Sequence, residues 1–189
     1  VYGNNQSEYI NESMAALPNN HYSYSKLVVE HLCSHFSELM NITIVRPFNI
    51  IGRGQRDNFL IPKLASRFAN KVDRVPLGNI DAVRDYLPID DCVRVLIKLI
   101  FSDKKIKGPL NICSGIGHSA RDAIEILEKI SGFKLDYYIN PEFVRKNEIW
   151  RLVGSPEKLQ HFMGSESIAT SSFETVLAEI YTDHLNMVK

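Results

Sequence analysis

Short strand-like segments alternate with amphipathic helical segments along most of the chain. Buried strands are predicted for the β-branched or apolar runs NITIVRP (41–47) and PLNICSG (109–115), each of which ends in turn residues. Apolar residues recur at helical spacing in FLIPKLASRFANK (59–71), DDCVRVLIKLIFSD (90–103) and SARDAIEILEKISG (119–132). This alternation predicts an α/β fold.

The charged residues balance, since Lys plus Arg is 22 and Asp plus Glu is 22 among 189 residues. Proteins that bind nucleic acid or anionic membranes usually carry a basic excess, so neither partner is expected. The longest apolar run, VLIKLIF (95–101), is too short to span a membrane. The three cysteines are far apart and form no CxxC pair, so a disulfide framework is not expected. A reducing, cytoplasmic location is favoured instead.

One stretch, NNHYSYSKLVVE (19–30), brings two tyrosines and a lysine close together. On a helix, residues four apart share a face, whereas residues two apart point about 200° away from each other. Tyr22 should therefore lie beside Lys26, and Tyr24 should not. The helix, predicted from Tyr22 to Leu39, has one apolar flank, formed by Val28, Val29, Leu32, Phe36 and Leu39.

A tyrosine beside a lysine has a chemical use. The pKa of a free tyrosine is about 10, which makes the phenol a poor base at neutral pH. A neighbouring ammonium favours the phenolate and lowers that pKa, so the phenol can exchange a proton with an alcohol or a ketone. Taken alone, the motif fits a packed tyrosine beside a solvated lysine better than a catalytic pair, so its neighbours decide the interpretation.

Several further motifs surround this pair. In chain order they are VYG (1–3), ES (12–13), Pro18, YSYSK (22–26), VRPFNIIGRGQ (45–55), GNIDAVRDYLPIDDCV (78–93), NICSG (111–115) and NPEFVRKNEIWRLVGSPEKL (140–159). Together they cover nearly the whole chain and resemble the extended short-chain dehydrogenase/reductase family, the NAD(P)-dependent sugar-nucleotide epimerases, dehydratases and reductases. The segments RDNFLIPKLA (56–65) and FVRKNEI (143–149) look most like the GDP-4-keto-6-deoxy-mannose reductase group.

This resemblance implies the C-terminal part of a Rossmann-type parallel-sheet fold with a smaller α/β substrate-binding lobe. Residues 1–48 and 90–133 would belong to the nucleotide-binding domain, and residues 49–89 and 134–189 would form the substrate-binding lobe. The implied activity is the NAD(P)-dependent reduction of a 4-keto-6-deoxy-hexose nucleotide. A sugar-nucleotide 4-epimerase or 4,6-dehydratase stays open as an alternative, as does a non-catalytic fragment that only binds a nucleotide sugar.

The resemblance also implies roles for individual residues. Tyr22 would be the catalytic acid and base, and Lys26 would lower its pKa and bind the nicotinamide ribose. Pro47 and Phe48 would lie near the nicotinamide of NAD or NADP. The nucleotide-diphosphate sugar would be bound by Asn49, Arg53, Arg56, Asn58, Arg84, Arg145 and Glu148. Guanidinium groups match phosphate oxygens, and a carboxylate can accept from two ribose hydroxyls.

Two of these arginines lie in NIIGRGQRDN (49–58), which is predicted to be a polar loop. Arg53 and Arg56 would cover the ligand as a lid, or would carry only solvent-exposed charge, and the sequence favours neither reading. Helix 22–39 is expected to pair two copies into a homodimer, because the resemblance places it in an intersubunit bundle.

Part of the family pattern does not occur in residues 1–189. The glycine-rich turn that binds the dinucleotide pyrophosphate has no counterpart, since GRG (52–54) lacks a third glycine and follows the wrong strand. The catalytic Ser or Thr of the family would stand just upstream of VYG. We therefore expect the chain to be part of a longer enzyme, and to neither bind the dinucleotide tightly nor turn over by itself. The choice between NADH and NADPH stays open.

The same helix also carries two histidines that could serve as metal ligands. His31 and His35 have the i, i+4 spacing of metal ligands, and Cys33 stands between them. Both histidines project to the side opposite Lys26, and no third ligand is evident, so no metal site is predicted.

Overall fold

The computed structural model describes residues 1–5, 7–144 and 148–188. Helices and strands are interspersed along these ranges. In chain order they are α1 (His21–His35), β1 (Val45–Pro47), β2 (Asn49–Ile51), α2 (Leu60–Ala69), β3 (Val75–Leu77), β4 (Val83–Pro88), α3 (Ile89–Ile100), β5 (Leu110–Ile112), β6 (Gly117–His118), α4 (Ala120–Ser131), β7 (Tyr137–Ile139), β8 (Arg151–Leu152), α5 (Glu157–Met163) and α6 (Phe173–Val188).

Most of the strand pairs are parallel, which confirms the α/β class predicted from the sequence. Four pairs run in parallel, namely β1 with β5, β2 with β4, β3 with β7 and β4 with β8. Strand β6 pairs with β4 in the antiparallel sense. Parallel pairs need helical crossovers between their strands, and the intervening helices supply them.

The chain changes its partner strand at Phe48. Strand β1 pairs with β5 up to Pro47, and β2 pairs with β4 from Asn49 onward. The prediction of a polar loop over 49–58 was therefore wrong for its first three residues. Their backbone continues into a second ladder, and Ile51 is buried in the core, so these residues are held as a strand.

Buried side chains form two hydrophobic clusters. The larger cluster lies among α2, α4 and α6 and includes Leu64, Phe68, Leu127 and Leu177. The smaller one joins β5, α3 and α5 through Val95, Leu110, Ile112 and Leu159. Ile51 belongs to the larger cluster and Ile50 packs against the smaller, so β2 contacts both.

Helix α4 follows the predicted start and stop signals. The Ser119 side chain accepts from the Asp122 amide, and the Asp122 carboxylate accepts from the Ser119 amide, which completes a capping box. Gly132 ends the helix in the left-handed conformation, with φ of 67°. The predicted helix over 119–132 is thereby confirmed.

Helix α1 is shorter than predicted. It ends at His35, and residues 36–39 form turns in which the Phe36 amide donates to the Cys33 carbonyl. The side chains of Phe36, Leu39 and Met40 are exposed, so no tertiary packing holds these residues in the helix.

In the described part of the chain, no helix combines the length and apolar character that a membrane span requires.

Candidate active site

Tyr22 and Lys26 share one face of α1, as the helical spacing predicts. The helix begins after Asn20, whose side chain accepts from the Ser23 amide at 2.9 Å in a capping box. This cap fixes where the first turn starts, and the Lys26 Nζ lies 5.2 Å from the centre of the Tyr22 ring. The ammonium is placed over the ring face, which is an attractive cation–π contact.

Both members of this pair are accessible to a ligand. The Tyr22 side chain is 73% exposed, and Lys26 is exposed as well. Among the described residues, neither side chain takes part in an ion pair with a third residue, so the Tyr22 hydroxyl and the Lys26 ammonium can donate to a bound molecule. The phenol and the ammonium are therefore both open to a ligand hydroxyl or carbonyl.

The next turn of the same helix face carries Glu30. Its carboxylate accepts from Arg46 Nε at 2.9 Å and from Arg46 Nη2 at 2.6 Å, so the pair is joined at two points. The Arg46 guanidinium also stacks on the Tyr2 ring, 4.7 Å from its centre. Tyr2 in turn donates to the Asn111 side chain at 2.6 Å. Four segments, namely α1, β1, β5 and the segment that contains Tyr2, are therefore connected through side chains.

Pro47, Phe48 and Asn49 lie at the change between the two strand ladders. The Phe48 amide donates to the Ile112 carbonyl at 2.9 Å, and its ring lies 6.5 Å from the ring of Tyr2. The Asn49 backbone pairs with β4, while its side chain is exposed. The structure therefore connects Phe48 to the segment that begins at Val1. It also leaves the side-chain amide of Asn49 available to a ligand.

Arg84 and Glu148 are 64 residues apart in sequence, and the structure brings them into contact. Arg84 Nη2 donates to Glu148 Oε1 at 2.9 Å, and both side chains are mostly buried. Strand β8, which follows Glu148, pairs with β4 in a register that sets Arg84 opposite Leu152. The carboxylate orients the guanidinium, so Arg84 has a fixed direction before any ligand binds. Arg145 lies outside the described residues.

Residues 52–58, here called the arginine loop, connect β2 to α2. Arg53, Arg56 and Asn58 are all exposed in it. Arg53 Nη2 donates to the Asp183 carboxylate at 3.2 Å, and the pair is on the surface. The loop therefore carries two exposed guanidinium groups, and a role for them as a ligand cover stays a prediction.

Sequence reasoning missed Asp85, which is fully buried beside Arg84. Its carboxylate accepts from the Ser114 amide and hydroxyl, at 2.9 and 2.7 Å, and from the amides of Gly115 and Gly154, at 2.9 and 3.3 Å. Burial raises the pKa of Asp85, and these four donors oppose that rise. The strand alternation could have shown that Asp85 faces away from Arg84, but not what it contacts.

A second missed feature is an aromatic stack next to β4. The His118 ring stacks on Phe173 with centres 4.2 Å apart, and Tyr86 stacks on Phe173 at 5.3 Å. These rings line a cavity of about 330 Å³ together with Ser114 and Ser172. Burial lowers the pKa of His118, so its ring stays neutral to a lower pH than a free histidine.

The histidine spacing on α1 brings no further ligand into place. His31 and His35 are exposed, and Cys33 is half-buried between them. Across the ranges that the structure describes, no group of three or more His, Cys, Asp or Glu side chains is placed to hold a metal ion.

The fold and the site together define a class of proteins. A parallel α/β fold with Tyr22 and Lys26 on one helix face agrees with the family suggested by the motifs. The sequence profile of the NAD dependent epimerase/dehydratase family matches residues 1–113, which is more than half of the chain. The chain therefore belongs to this family, and the resemblance drawn from its motifs is confirmed.

Two curated relatives are similar over most of the chain. GDP-6-deoxy-D-talose 4-dehydrogenase of Aggregatibacter actinomycetemcomitans is 38% identical over 186 residues, which cover 98% of this chain and 62% of the relative. GDP-6-deoxy-D-mannose reductase of Pseudomonas aeruginosa is 33% identical over 162 residues, which cover 82% of this chain and 53% of the relative. The chain thus spans less than two thirds of the length of either enzyme.

Solved structures of the family share the fold. RMD from Pseudomonas aeruginosa, complexed with NADPH, superposes with a TM-score of 0.84 at 29% identity. The matched region covers 93% of this chain and 60% of the RMD chain. UDP-glucuronic acid 4-epimerase from Bacillus cereus, in complex with UDP-glucuronic acid and NAD, superposes with a TM-score of 0.87 at 26% identity. The matched region covers 100% of this chain and 59% of the epimerase chain.

Proposed function

We propose that this chain carries the proton-transfer pair and the nucleotide-sugar-binding residues of an NAD(P)-dependent sugar-nucleotide oxidoreductase, which reduces a 4-keto-6-deoxy-hexose nucleotide. The observation that carries the proposal is the shared helix face of Tyr22 and Lys26, in a chain 38% and 33% identical to two enzymes of GDP-6-deoxy sugars. The names of both relatives describe oxidation or reduction of a 6-deoxy sugar.

The residues present fit the nicotinamide end of a dinucleotide. Lys26 is exposed and can donate to ribose hydroxyls, and Pro47 and Phe48 offer a flat apolar edge close to the Tyr2 segment. When bound, NADH or NADPH would supply the hydride that reduces the 4-keto carbon. The chain's own part is to place the sugar and to move the proton.

In the proposed step, Tyr22 Oη donates its proton to the keto oxygen, which becomes the 4-hydroxyl. The phenolate left on Tyr22 is stabilised by the Lys26 ammonium above the ring and recovers a proton from solvent. Dehydrogenation is the reverse, with Tyr22 as phenolate taking the hydroxyl proton. One tyrosine therefore serves both directions, and the nucleotide sugar and redox cofactor supplied decide which is observed.

The same proposal assigns the diphosphate to Arg84, the orientation of which is already fixed by Glu148. A guanidinium can bind phosphate oxygens at two points, whereas the paired carboxylate can accept from ribose hydroxyls. The remaining contacts are assigned to Asn49, Arg53, Arg56, Asn58 and Arg145. Arg84 and Glu148 are mostly buried, so their own contacts with the ligand would be strengthened because bulk water is largely excluded there.

A 4-epimerase is the second candidate, and one observation favours it. The Bacillus cereus UDP-glucuronic acid 4-epimerase has a TM-score of 0.87 over the whole chain, higher than the 0.84 of the reductase structure. An epimerase would use Tyr22 in the same way but return the hydride to the same sugar. Consumption of added NADPH would separate the two, since an epimerase consumes none.

We also infer the assembly and location of the protein. Exposed apolar side chains on α1 and on the turns that follow it support pairing of two copies through residues 22–39; they are Val28, Val29, Leu32, Phe36 and Leu39. A cytoplasmic location is in keeping with three free cysteines. The division into residues 1–48 with 90–133 and residues 49–89 with 134–189 stays a prediction.

Titration calorimetry with GDP tests the nucleotide-binding part of the proposal. Arg84→Gln should weaken GDP binding by about tenfold, since it removes a charge-assisted contact to phosphate. Arg121→Gln is the matched control, because it removes an arginine that is paired with Asp81 on the surface. Equal affinity of wild type and Arg84→Gln, or no binding of GDP or UDP by the wild type, would contradict the assignment.

A further inference from the structure

The arginine loop contacts helix α6 at Asp183. Asp183 Oδ1 accepts from Arg53 Nη2 at 3.2 Å, and Asp183 Oδ2 accepts from the Gly54 amide at 3.4 Å. One carboxylate from α6 thus contacts two successive residues at the tip of a loop that lies far away in sequence.

The helix is the fixed side of this contact. Helix α6 buries Val176, Leu177, Ile180 and Tyr181 in the larger hydrophobic cluster, together with side chains of α2 and α4. The Asp183 side chain is only 20% exposed, whereas the Arg53 side chain is 67% exposed. The carboxylate therefore has a defined position, and the loop is the part that it restrains.

The loop itself is shaped to reach this carboxylate. Gly54 has φ of 73° and no atom within 4 Å of the position that a Cβ would occupy, so the backbone turns there at low cost and presents its amide. At the base of the loop, Gln55 Nε2 donates to the Ile50 carbonyl at 3.2 Å. The loop is held at its base by β2 and at its tip by α6.

We propose that Asp183 is a positioning residue, which orders the arginine loop so that Arg53, Arg56 and Asn58 face a bound nucleotide diphosphate. The ligand named here rests on the proposed function, whereas the restraint on the loop does not. An ion pair at the surface contributes little to global stability, so its loss should loosen the loop without unfolding the protein.

Trypsin reports the order of this loop directly, because it cleaves after Arg53 and Arg56. Asp183→Asn should raise the initial rate of cleavage at these two sites by about two- to fivefold, the range that an exposed ion pair can supply. It should weaken GDP binding by a similar factor and leave the melting temperature unchanged. Asp183→Glu, which keeps the carboxylate, should recover part of both effects.

The matched control is Glu179→Gln, an exposed residue one turn earlier on α6 with the same change of charge. It should behave as the wild type in every assay. Cleavage of Asp183→Asn at the wild-type rate would overturn the inference, and so would faster cleavage with unaltered GDP affinity. If the wild type binds no GDP, the proposed function fails, and the cleavage rates still decide whether Asp183 orders the loop.

Discussion

Glu30 and Arg46 form a two-point ion pair that fixes helix α1 against the strand ending at Pro47. The two distances are 2.9 and 2.6 Å, and the side chains are only 14% and 11% exposed. Glu30 lies one turn after Lys26 on the same face. The pair therefore sets how the Tyr22–Lys26 face stands relative to Pro47 and Phe48.

The first prediction concerns this pair. Glu30→Gln should lower the free energy of unfolding by about 2–3 kcal/mol, because it leaves the mostly buried Arg46 without its countercharge. Urea denaturation monitored by circular dichroism measures the change. Glu38→Gln removes an exposed carboxylate after the same helix and should change stability by less than about 0.5 kcal/mol. Equal stability of the two variants would show that the pair does not fix the helix.

Asp85 gives the second prediction. Asp85→Asn should destabilise the protein by about 2–3 kcal/mol, because an amide nitrogen would face donors that now contact a carboxylate oxygen. Four donors converge on Asp85, from Ser114, Gly115 and Gly154, so the loss is shared by two loops. Chemical denaturation provides the measurement, and a loss below about 0.5 kcal/mol would contradict the role assigned to this carboxylate.

The third prediction follows from His118. Burial lowers its pKa from the ordinary value of 6.5, so the unfolded chain binds a proton at a pH where the folded protein does not. The stability that neutral His118 contributes is therefore full above pH 6.5 and declines as the pH falls below it. His118→Phe keeps a ring against Phe173 but cannot titrate. Its melting temperature should fall less than that of the wild type between pH 7 and about pH 5. Parallel curves for the two proteins would rule this out.

The exposed flank of α1 gives the fourth prediction. If two copies pair through this helix, Leu32→Glu should shift the protein from dimer to monomer, since a charge cannot be buried there without a partner. Leu32 is 56% exposed in the single chain, so the variant should fold normally. Light scattering measures the mass. A wild-type monomer at all concentrations would exclude the homodimer for this chain.

Sequence reasoning identified the fold class and the helix geometry, because both follow from local periodicity. The capping signals of α4 at Ser119 and Gly132 are local as well, and they were read correctly. The Tyr22–Lys26 contact required only the helical repeat. The resemblance assigned Arg84 and Glu148 each to the nucleotide-diphosphate sugar, and the structure adds that the two side chains are bonded to each other.

What the sequence could not predict depends on contacts between distant segments. Asp85 is a polar residue in a strand, and nothing local shows that two loops supply its donors. The strand at Asn49–Ile51 was mistaken for a loop, because its length is only three residues and its partner lies in β4. The end of α1 at His35 was also missed, since the apolar spacing continues through Leu39 while no packing supports it.

The fifth prediction tests the central claim, which is that Tyr22 transfers the proton. We would place residues 1–189 in an enzyme in which they replace the matching portion of the Pseudomonas aeruginosa GDP-6-deoxy-D-mannose reductase, and follow NADPH oxidation with a GDP-4-keto-6-deoxy sugar. Tyr22→Phe should lower kcat by about 100-fold or more and leave GDP affinity unchanged, because only the proton-transfer group is lost. Tyr24→Phe, two residues away on another face of the helix, should retain full turnover. Turnover by Tyr22→Phe at the wild-type rate, or an equal loss in Tyr24→Phe, would contradict the assignment.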